Sequence, residues 1–377
     1  MNIRGMRIAF FTGAYSHIAD GVSLTLNRLV AFLVREGAIV RVYAPTAAVP
    51  ALQHAGTLVP VPSVSAPGRP EYRISLGFGW RAHENLTDFA PHLFHIATPD
   101  LLGLSALRAA RTLGTPVVAS YHTHFASYLK YYRLNVLEPA TWSYLRWFYR
   151  QCRAVYVPSK SMTDVLRSHG IDGNLRLWPR GVDSSLFTPA RRSDQWRGLH
   201  GIDGSTPAIT FVSRLVQEKG LDIVVDVMRR LSDDGIPHRA VLVGDGPERA
   251  NLEASLPNAV FTGHLTGEAL ATAYASSDIF LFPSDTETFG NVTLEALSSG
   301  LPAVVANATG SNDLVENGMN GFLARPRESE SFAGYVERLI LEPELRHEIG
   351  MRARAGAQAY DWDYVLAQMV SYYEEIH

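Results

Sequence analysis

Cysteine is nearly absent from this chain: one residue, Cys152, in 377. A lone cysteine excludes an intrachain disulfide framework and a cysteine-rich zinc site. Cys152 lies in an apolar helix-to-strand context and reads as core filling. No run of 18 apolar residues occurs, and no signal-peptide layout opens the chain. A spanning helix is thus not expected, and the sequence predicts a cytoplasmic protein. No stripe of Lys and Arg interleaves with aromatics and no recognition motif is present, so no nucleic-acid partner is expected. No GxGxxG fingerprint follows the first strand pattern, at residues 7–12. There is no Asp-x-Asp-like metal clamp at a strand end, no short internal repeat and no low-complexity segment.

What is present is ordinary globular material, 46% apolar and 19% charged. At this length two domains are the default. The net charge of -3 hides an asymmetry. Residues 1–180 carry 19 Lys and Arg against 9 Asp and Glu, and residues 181–377 carry 15 against 28. A basic first half suits an anionic partner, such as an anionic membrane surface or a lipid-linked phosphate acceptor. The exposed-looking aromatics Trp80, Tyr128, Tyr131 and Tyr132 point the same way. Peripheral contact with the inner face of a membrane is the expectation.

The chain opens with strand, helix and strand patterns at residues 7–12, 22–35 and 39–44, a βαβ unit. Residues 51–65 hold short apolar pieces broken by Pro60 and Pro62, and residues 67–78 read as a Pro/Gly/Arg loop with Tyr72. Helix patterns follow at 79–89, 101–113, 142–150 and 161–169, alternating with strands at 93–96, 117–120, 154–158 and 174–178. Residues 181–206 read as a linker. A second series has strands at 208–212, 239–243, 259–261, 279–282 and 303–305, with a helix at 220–231. Short, nearly all-apolar strands alternating with helices indicate parallel sheets covered on both faces. The predicted fold is α/β with two doubly wound, Rossmann-like domains, 1–180 and 207–360, facing across a cleft. A last helical pattern at 361–377 is expected to pack back on the first domain. Ligand is expected outside the carboxyl ends of the strands.

The most informative stretch is SDTETFGNVTLEALSSG, residues 284–300. A buried-strand pattern feeds into it and an amphipathic helix leaves it at about Asn291. Glu287 is expected in the loop and Glu295 on the first turns of the helix. Phe289, Gly290, Asn291 and Val292 lie between them, where helix-end amides suit a phosphate. One carboxylate can grip sugar hydroxyls while the other reaches past the phosphates. Arg214 and Lys219 follow the strand at 208–212. An Arg forks phosphate oxygens and a Lys supplies a mobile point charge, so the pair suits a departing diphosphate.

Gly244 and Gly246 in VGDGP allow a tight turn and close ligand approach. Gly263, His264 and Leu265 follow the next short strand, where backbone groups can meet a base edge. Gly310-Ser311-Asn312-Asp313 follows the strand at 303–305. In the first half, Gly21 closes the loop before a helix and lets substrate near its N-terminus. His122 and, less favourably placed, His124 follow the strand at 117–120; no third ligand completes a zinc site. Arg180-Gly181-Val182-Asp183 ends the last strand of this half, as a hinge or a cleft wall.

These elements together resemble a family 4 glycosyltransferase of the GT-B fold over essentially the whole chain. The family's signature, two Glu separated by seven residues with Phe-Gly after the first, stands as Glu287 to Glu295. SRLVQEKG, GDGP, WPRGVD, GLPAVVA and NGFLA fit as well. The opening loop departs, with Gly21 preceded by Asp20. The resemblance implies a retaining transferase that takes a nucleotide diphosphate sugar, needs no metal and no cofactor, and lets the leaving phosphate deprotonate the acceptor. It implies that Glu287 holds donor-sugar hydroxyls, Glu295 the ribose, Arg214 and Lys219 the diphosphate, and that His122 touches the sugar. Within the family SYHTHF and TETFGNVTLEA are similar to GDP-mannose-dependent α-mannosyltransferases and sulfoquinovosyl transferases of glycolipid synthesis. GDP-mannose with a lipid-linked or glycolipid acceptor is the leading expectation. A UDP-linked glucose, glucuronate or N-acetylglucosamine with a soluble acceptor is the alternative.

Overall fold

The computed structural model describes residues 3–18, 20–66, 69–122 and 135–376; of residues 69–71 and 135 only the backbone is described. His124, Tyr128, Tyr131 and Tyr132 lie outside the described residues. Two compact units result, one of Met1–Arg180 with Asp363–His377 and one of Gly181–Trp362.

The first unit contains β1 (Arg7–Phe11), α1 (Gly21–Arg35), β2 (Ile39–Ala44), β3 (Thr57–Pro60), β4 (Ser63–Ala66), β5 (Arg69–Ser75), α2 (Trp80–Phe89), β6 (Leu93–Ile96), α3 (Leu101–Leu113), β7 (Val117–Ser120), α4 (Glu138–Tyr149), β8 (Ala154–Val157), α5 (Lys160–Ser168) and β9 (Leu175–Leu177). Its parallel sheet runs β3-β2-β1-β6-β7-β8-β9. Each residue of β6, β7 and β8 is buried, because helices cover both faces of the sheet. The two-residue period sorts the strands' side chains between those faces. Phe94, Ile96, Ala119, Val155 and Val157 join the core made with α3 and α4. Phe10, His95, Ser120 and Tyr156 fall on the other face.

Residues 69–75, expected within a loop, form a strand instead. β5 pairs antiparallel with β4, separate from the main sheet. Its half-exposed side chains give no buried run to read: Val64 and Ile74 stay 48% and 46% exposed.

The second unit contains α6 (Asp194–Leu199), β10 (Ala208–Val212), α7 (Leu221–Asp233), β11 (Arg239–Val243), α8 (Arg249–Ser255), β12 (Val260–Gly263), α9 (Gly267–Ala275), β13 (Ile279–Phe282), α10 (Asn291–Ser298), β14 (Ala303–Ala306), α11 (Ser311–Leu314), β15 (Gly321–Ala324), α12 (Ser329–Leu341) and α13 (Pro343–Ala357). Its sheet runs β12-β11-β10-β13-β14-β15 and is parallel throughout. Residues 181–206 pack into this unit. Phe187 and Ile202 enter its core, and buried Arg197 pairs with Asp278 at 2.9 Å.

The last helix, α14 (Trp362–Glu374), runs from the edge of the second unit into the first. Its Tyr372 stacks on Tyr156 and its Tyr373 reaches His95. Among the described residues no helix is long and apolar enough to cross a membrane.

Candidate functional site

In the second unit the strand order reverses between β10 and β13, which are neighbours. Loops leaving two adjacent strands in opposite directions open a crevice at their carboxyl ends, the usual ligand site of such sheets. The loop from β10 carries Ser213 to Lys219, and the loop from β13 carries Pro283 to Gly290.

Across this crevice Lys219 Nζ lies 2.6 Å from Glu287 Oε1. Ser284 Oγ donates to the same oxygen at 3.0 Å. The two charged side chains are only 12% and 18% exposed. Burial alone would raise the Glu287 carboxyl. Lys219, with its hydrogen bond, that of Ser284 and the charge of Arg214, outweighs burial and holds it below the ordinary carboxylate value. Glu287 is therefore ionised at neutral pH. Arg214 is half exposed, its guanidinium 3.7 Å from Glu218.

Helix α10 starts at Asn291 with Gly290 as N-cap at φ +95°, a left-handed conformation that glycine takes without strain. Gly290 brings no side chain to cap this end. The first-turn amides of Asn291 and Val292 and the helix dipole thus suit an anion. Phe289 is buried with its ring against Tyr360, so its backbone is what it can offer a ligand. Glu295, one turn into α10, accepts a hydrogen bond from Tyr274 at 3.2 Å. Its carboxylate in turn helps push the buried Tyr274 phenol, already raised by desolvation, well above its usual value.

Gly244 fixes the β10 loop from its other side. At φ +136°, an added Cβ would stand 1.9 Å from Ser213 O. Gly244 N also donates to Gly263 O at 2.8 Å, which couples the VGDGP turn to the segment carrying exposed His264 and half-buried Leu265. Leu215 N donates to Asp245 O, and Glu248 N to Leu215 O. Gly244→Ala is expected to displace the Arg214–Lys219 loop, costing about 2 kcal/mol or more of stability. Urea unfolding and the donor KM measure the two effects. Gly310 backs onto the same site, close against Phe289 N and Glu287 O.

In the first unit, Gly21 is the first residue of α1 rather than the end of a loop. Asp20 is the N-cap, and its carboxylate accepts from Ser23 N while Ser23 Oγ accepts from Asp20 N. This capping box uses one first-turn amide and places a negative charge at the helix end.

His122 follows β7 and is 8% exposed. Arg180 Nη2 donates to its Nδ1 at 2.8 Å. Because Arg only donates, a neutral His122 carries its proton on Nε2, which faces Ser120 Oγ at 2.7 Å. Ser120 Oγ also lies 2.8 Å from His95 Nε2, and His95 Nδ1 is hydrogen-bonded to Tyr373 Oη. Burial holds His95 down at about 3 and, with Arg180 adjacent, holds His122 well below its usual value. Both rings are neutral at physiological pH. Contact between His122 and a sugar through a ring nitrogen requires exchanging one of these partners.

Sequence reasoning singled out Lys219 and Glu287, 68 residues apart, and the structure brings them into contact. It missed Ser284, Tyr274, Ser120, His95 and Tyr373. Ser284 and Ser120 had a signal, their places at the ends of β13 and β7; the others had none. Among the described residues no group of three or more His, Cys, Asp or Glu could hold a metal ion.

Two family models match the chain: "Glycosyltransferase Family 4" over residues 19–186 and "Glycosyl transferases group 1" over residues 192–356. A GDP-mannose-dependent α-mannosyltransferase of Corynebacterium glutamicum is 32% identical, across 99% of this chain and 90% of that protein. The sulfoquinovosyl transferase SQD2 of Arabidopsis thaliana is 37% identical over 77% of this chain; the match spans 58% of the plant enzyme's length. The solved structure of Anabaena HepE in complex with UDP superposes with a TM-score of 0.77 at 20% identity, covering 98% of this chain and 100% of that one. A likeness of that depth shows the fold, two Rossmann-like parallel-sheet domains of the GT-B type. The switch-point crevice, its buried Lys–Glu pair and these matches converge: the chain belongs to glycosyltransferase family 4 and is a retaining, nucleotide-sugar-dependent glycosyltransferase.

Proposed function

We propose that the second unit holds a hexose nucleotide with its diphosphate at the Gly290 helix end, and that the first unit presents the acceptor hydroxyl. The observation carrying this reading is the Lys219–Glu287 pair beside a glycine-capped helix N-terminus at the sheet's switch point. A cation there meets the charge that grows on the departing diphosphate. The ionised Glu287 can accept hydrogen bonds from sugar hydroxyls. Glu295, a turn further along α10, stands where a ribose hydroxyl would follow the phosphates. His122 contacts the donor sugar near its reacting carbon. The leaving phosphate serves as base for the acceptor hydroxyl, which keeps attack and departure on one face of the sugar and retains configuration.

For the donor, a UDP-linked hexose is supported by HepE, of the same fold and solved with UDP. GDP-mannose is the second reading, supported by the name of the corynebacterial relative. The plant relative's name carries a third sugar at comparable identity, so kinship at this depth does not separate donors. UDP and GDP titrated separately decide between them, because at equal concentration the tighter ligand of the native state raises the melting temperature more. The favoured nucleotide is expected to raise it by several degrees at saturation. Transfer from the matching donor panel, with the product's anomeric configuration read by NMR, completes the test. If neither nucleotide protects and no donor turns over, the reading fails.

For the acceptor, a lipid-linked or anionic molecule is supported by the basic first half and by exposed Leu76, Trp80 and Leu101. Stronger binding of the full chain to anionic than to neutral vesicles, weakening with salt, is the expected result. Equal binding to both favours a soluble acceptor.

A further inference from the structure

Among the described residues two arginines are almost wholly buried, and they are held differently. Arg197, 3% exposed, donates to Asp278 at 2.9 Å and to the carbonyls of Ser276, Asp203 and Thr206. Its charge is neutralised and its donors are used, as a structural buried cation requires. Arg180, 5% exposed, has Trp178 O at 3.2 Å, the neutral His122 Nδ1 at 2.8 Å and the face of Trp178, with 4.9 Å from guanidinium carbon to ring centroid. Among the described residues no carboxylate lies within ion-pair distance of it. Among the described residues, the contacts from His122 continue through Ser120 to His95 and Tyr373, both uncharged at neutral pH. Burial lowers the Arg180 guanidinium only to about 9, so it stays a cation.

An unpaired buried cation is costly, and folded chains seldom keep one without use. Its location supplies the use. Arg180 lies three residues beyond β9 and His122 two beyond β7, both at carboxyl ends of parallel strands, where ligands approach such a sheet. Because Arg180 only donates, the neutral His122 keeps Nδ1 as an acceptor on one corner of the guanidinium. Trp178 O and His122 Nδ1 engage two of its five N–H donors, and a guanidinium fork matches a two-oxygen anion.

We propose that Arg180 is an anion-binding residue of the first unit, taking the phosphoryl or carboxylate oxygens of a substrate beside His122. This deepens the transferase reading, on which it depends only for which substrate brings the anion.

The test uses the full chain, with melting temperature followed against inorganic phosphate at constant ionic strength, and separately against UDP and GDP. Wild type is expected to gain several degrees in phosphate. The gain should persist in large part in Lys219→Ala, shrink markedly in Arg180→Gln and return in part in Arg180→Lys. Without phosphate, Arg180→Gln should melt within about 2 °C of wild type or above it, because a buried charge has been removed. Arg197→Gln, which leaves Asp278 unpaired, should melt well below. If Arg180→Gln also weakens protection by the nucleotide, the anion is the donor's diphosphate; if only phosphate protection is lost, it is an anionic group of the acceptor. Unchanged phosphate protection in Arg180→Gln, or a variant that melts many degrees lower or does not fold, overturns the proposal and leaves Arg180 structural. Lack of turnover with every donor, with phosphate protection intact, would overturn the transferase reading and leave this one standing.

Discussion

Lys219→Ala is expected to lower kcat by on the order of 100-fold and to destabilise the fold at the same time. The kinetic loss follows from removing a cation that meets the departing diphosphate, where one such group is worth about 3 kcal/mol in the transition state. The stability loss has a separate cause. Glu287 would stay mostly buried with Ser284 as its remaining short contact. Breaking a buried pair by removing one partner costs about 3–5 kcal/mol, and the residual exposure of both groups places this one at the low end. Glu287→Ala in the Lys219→Ala background should recover part of that stability, since it removes the stranded carboxylate. It should recover none of the rate. A double-mutant cycle in urea, read beside kcat, separates the two effects. Additive stability losses would mean the 2.6 Å pair contributes nothing. The chain has only three lysines, so the swap also removes a type of charge it seldom uses.

Acidification from pH 6.5 to 4.5 should cost about 2 kcal/mol of stability through His95, and His122 adds to the loss in the same direction. His95 and His122 stay neutral in the folded state, while in the unfolded chain they take up protons near 6.5. Their folded values are depressed, so this contribution is full above about pH 6.5. It falls as the unfolded state gains protons, by about 1.4 kcal/mol per pH unit for His95. For His95 the loss continues down to about pH 3, where the folded ring also takes a proton. Buried His17, on Pro45 O, adds in the same direction. The Glu287 carboxylate is depressed too, but its contribution is lost only near and below the ordinary carboxylate value. Urea midpoints from pH 7 to 4.5 give the slope. His95→Gln, which keeps a donor and an acceptor in the sheet, should flatten it by about one proton. An identical slope in that variant would show that His95 is protonated in both states alike.

The fold was legible because its strands are short and nearly pure apolar. Ile279–Phe282 and Ala303–Ala306 are buried at each position, as central strands of a covered parallel sheet must be. The β4–β5 hairpin was not, because strands packed on one face only, among Pro and Arg, carry no such run. Helix α4 begins four residues before the aromatic pattern at Trp142 that marked it, with Pro139 in its first turn. Within the candidate site, residues following strand ends could be named from order along the chain. Which of them touch could not. Arg214 and Lys219 read as a pair, yet Lys219 meets Glu287 while Arg214 stays beside Glu218. Tyr373 and His95 are 278 residues apart. Alternation along β6 separates His95 from Phe94 and Ile96, but nothing local announces that α14 covers that face.

The return of α14 to the first unit bears on how the protein is made. A ribosome releases residues in order, so the second unit has its complete sequence before the first does. Until Asp363 onward emerges, the sheet face bearing Phe10, His95 and Tyr156 lacks Tyr372 and Tyr373, its last cover. A nascent chain halted anywhere between β9 and α14 would therefore present an apolar, partly polar sheet face to chaperones, however well its second unit had folded. Completion of the His95–Tyr373 contact is a molecular record that translation has passed Tyr373.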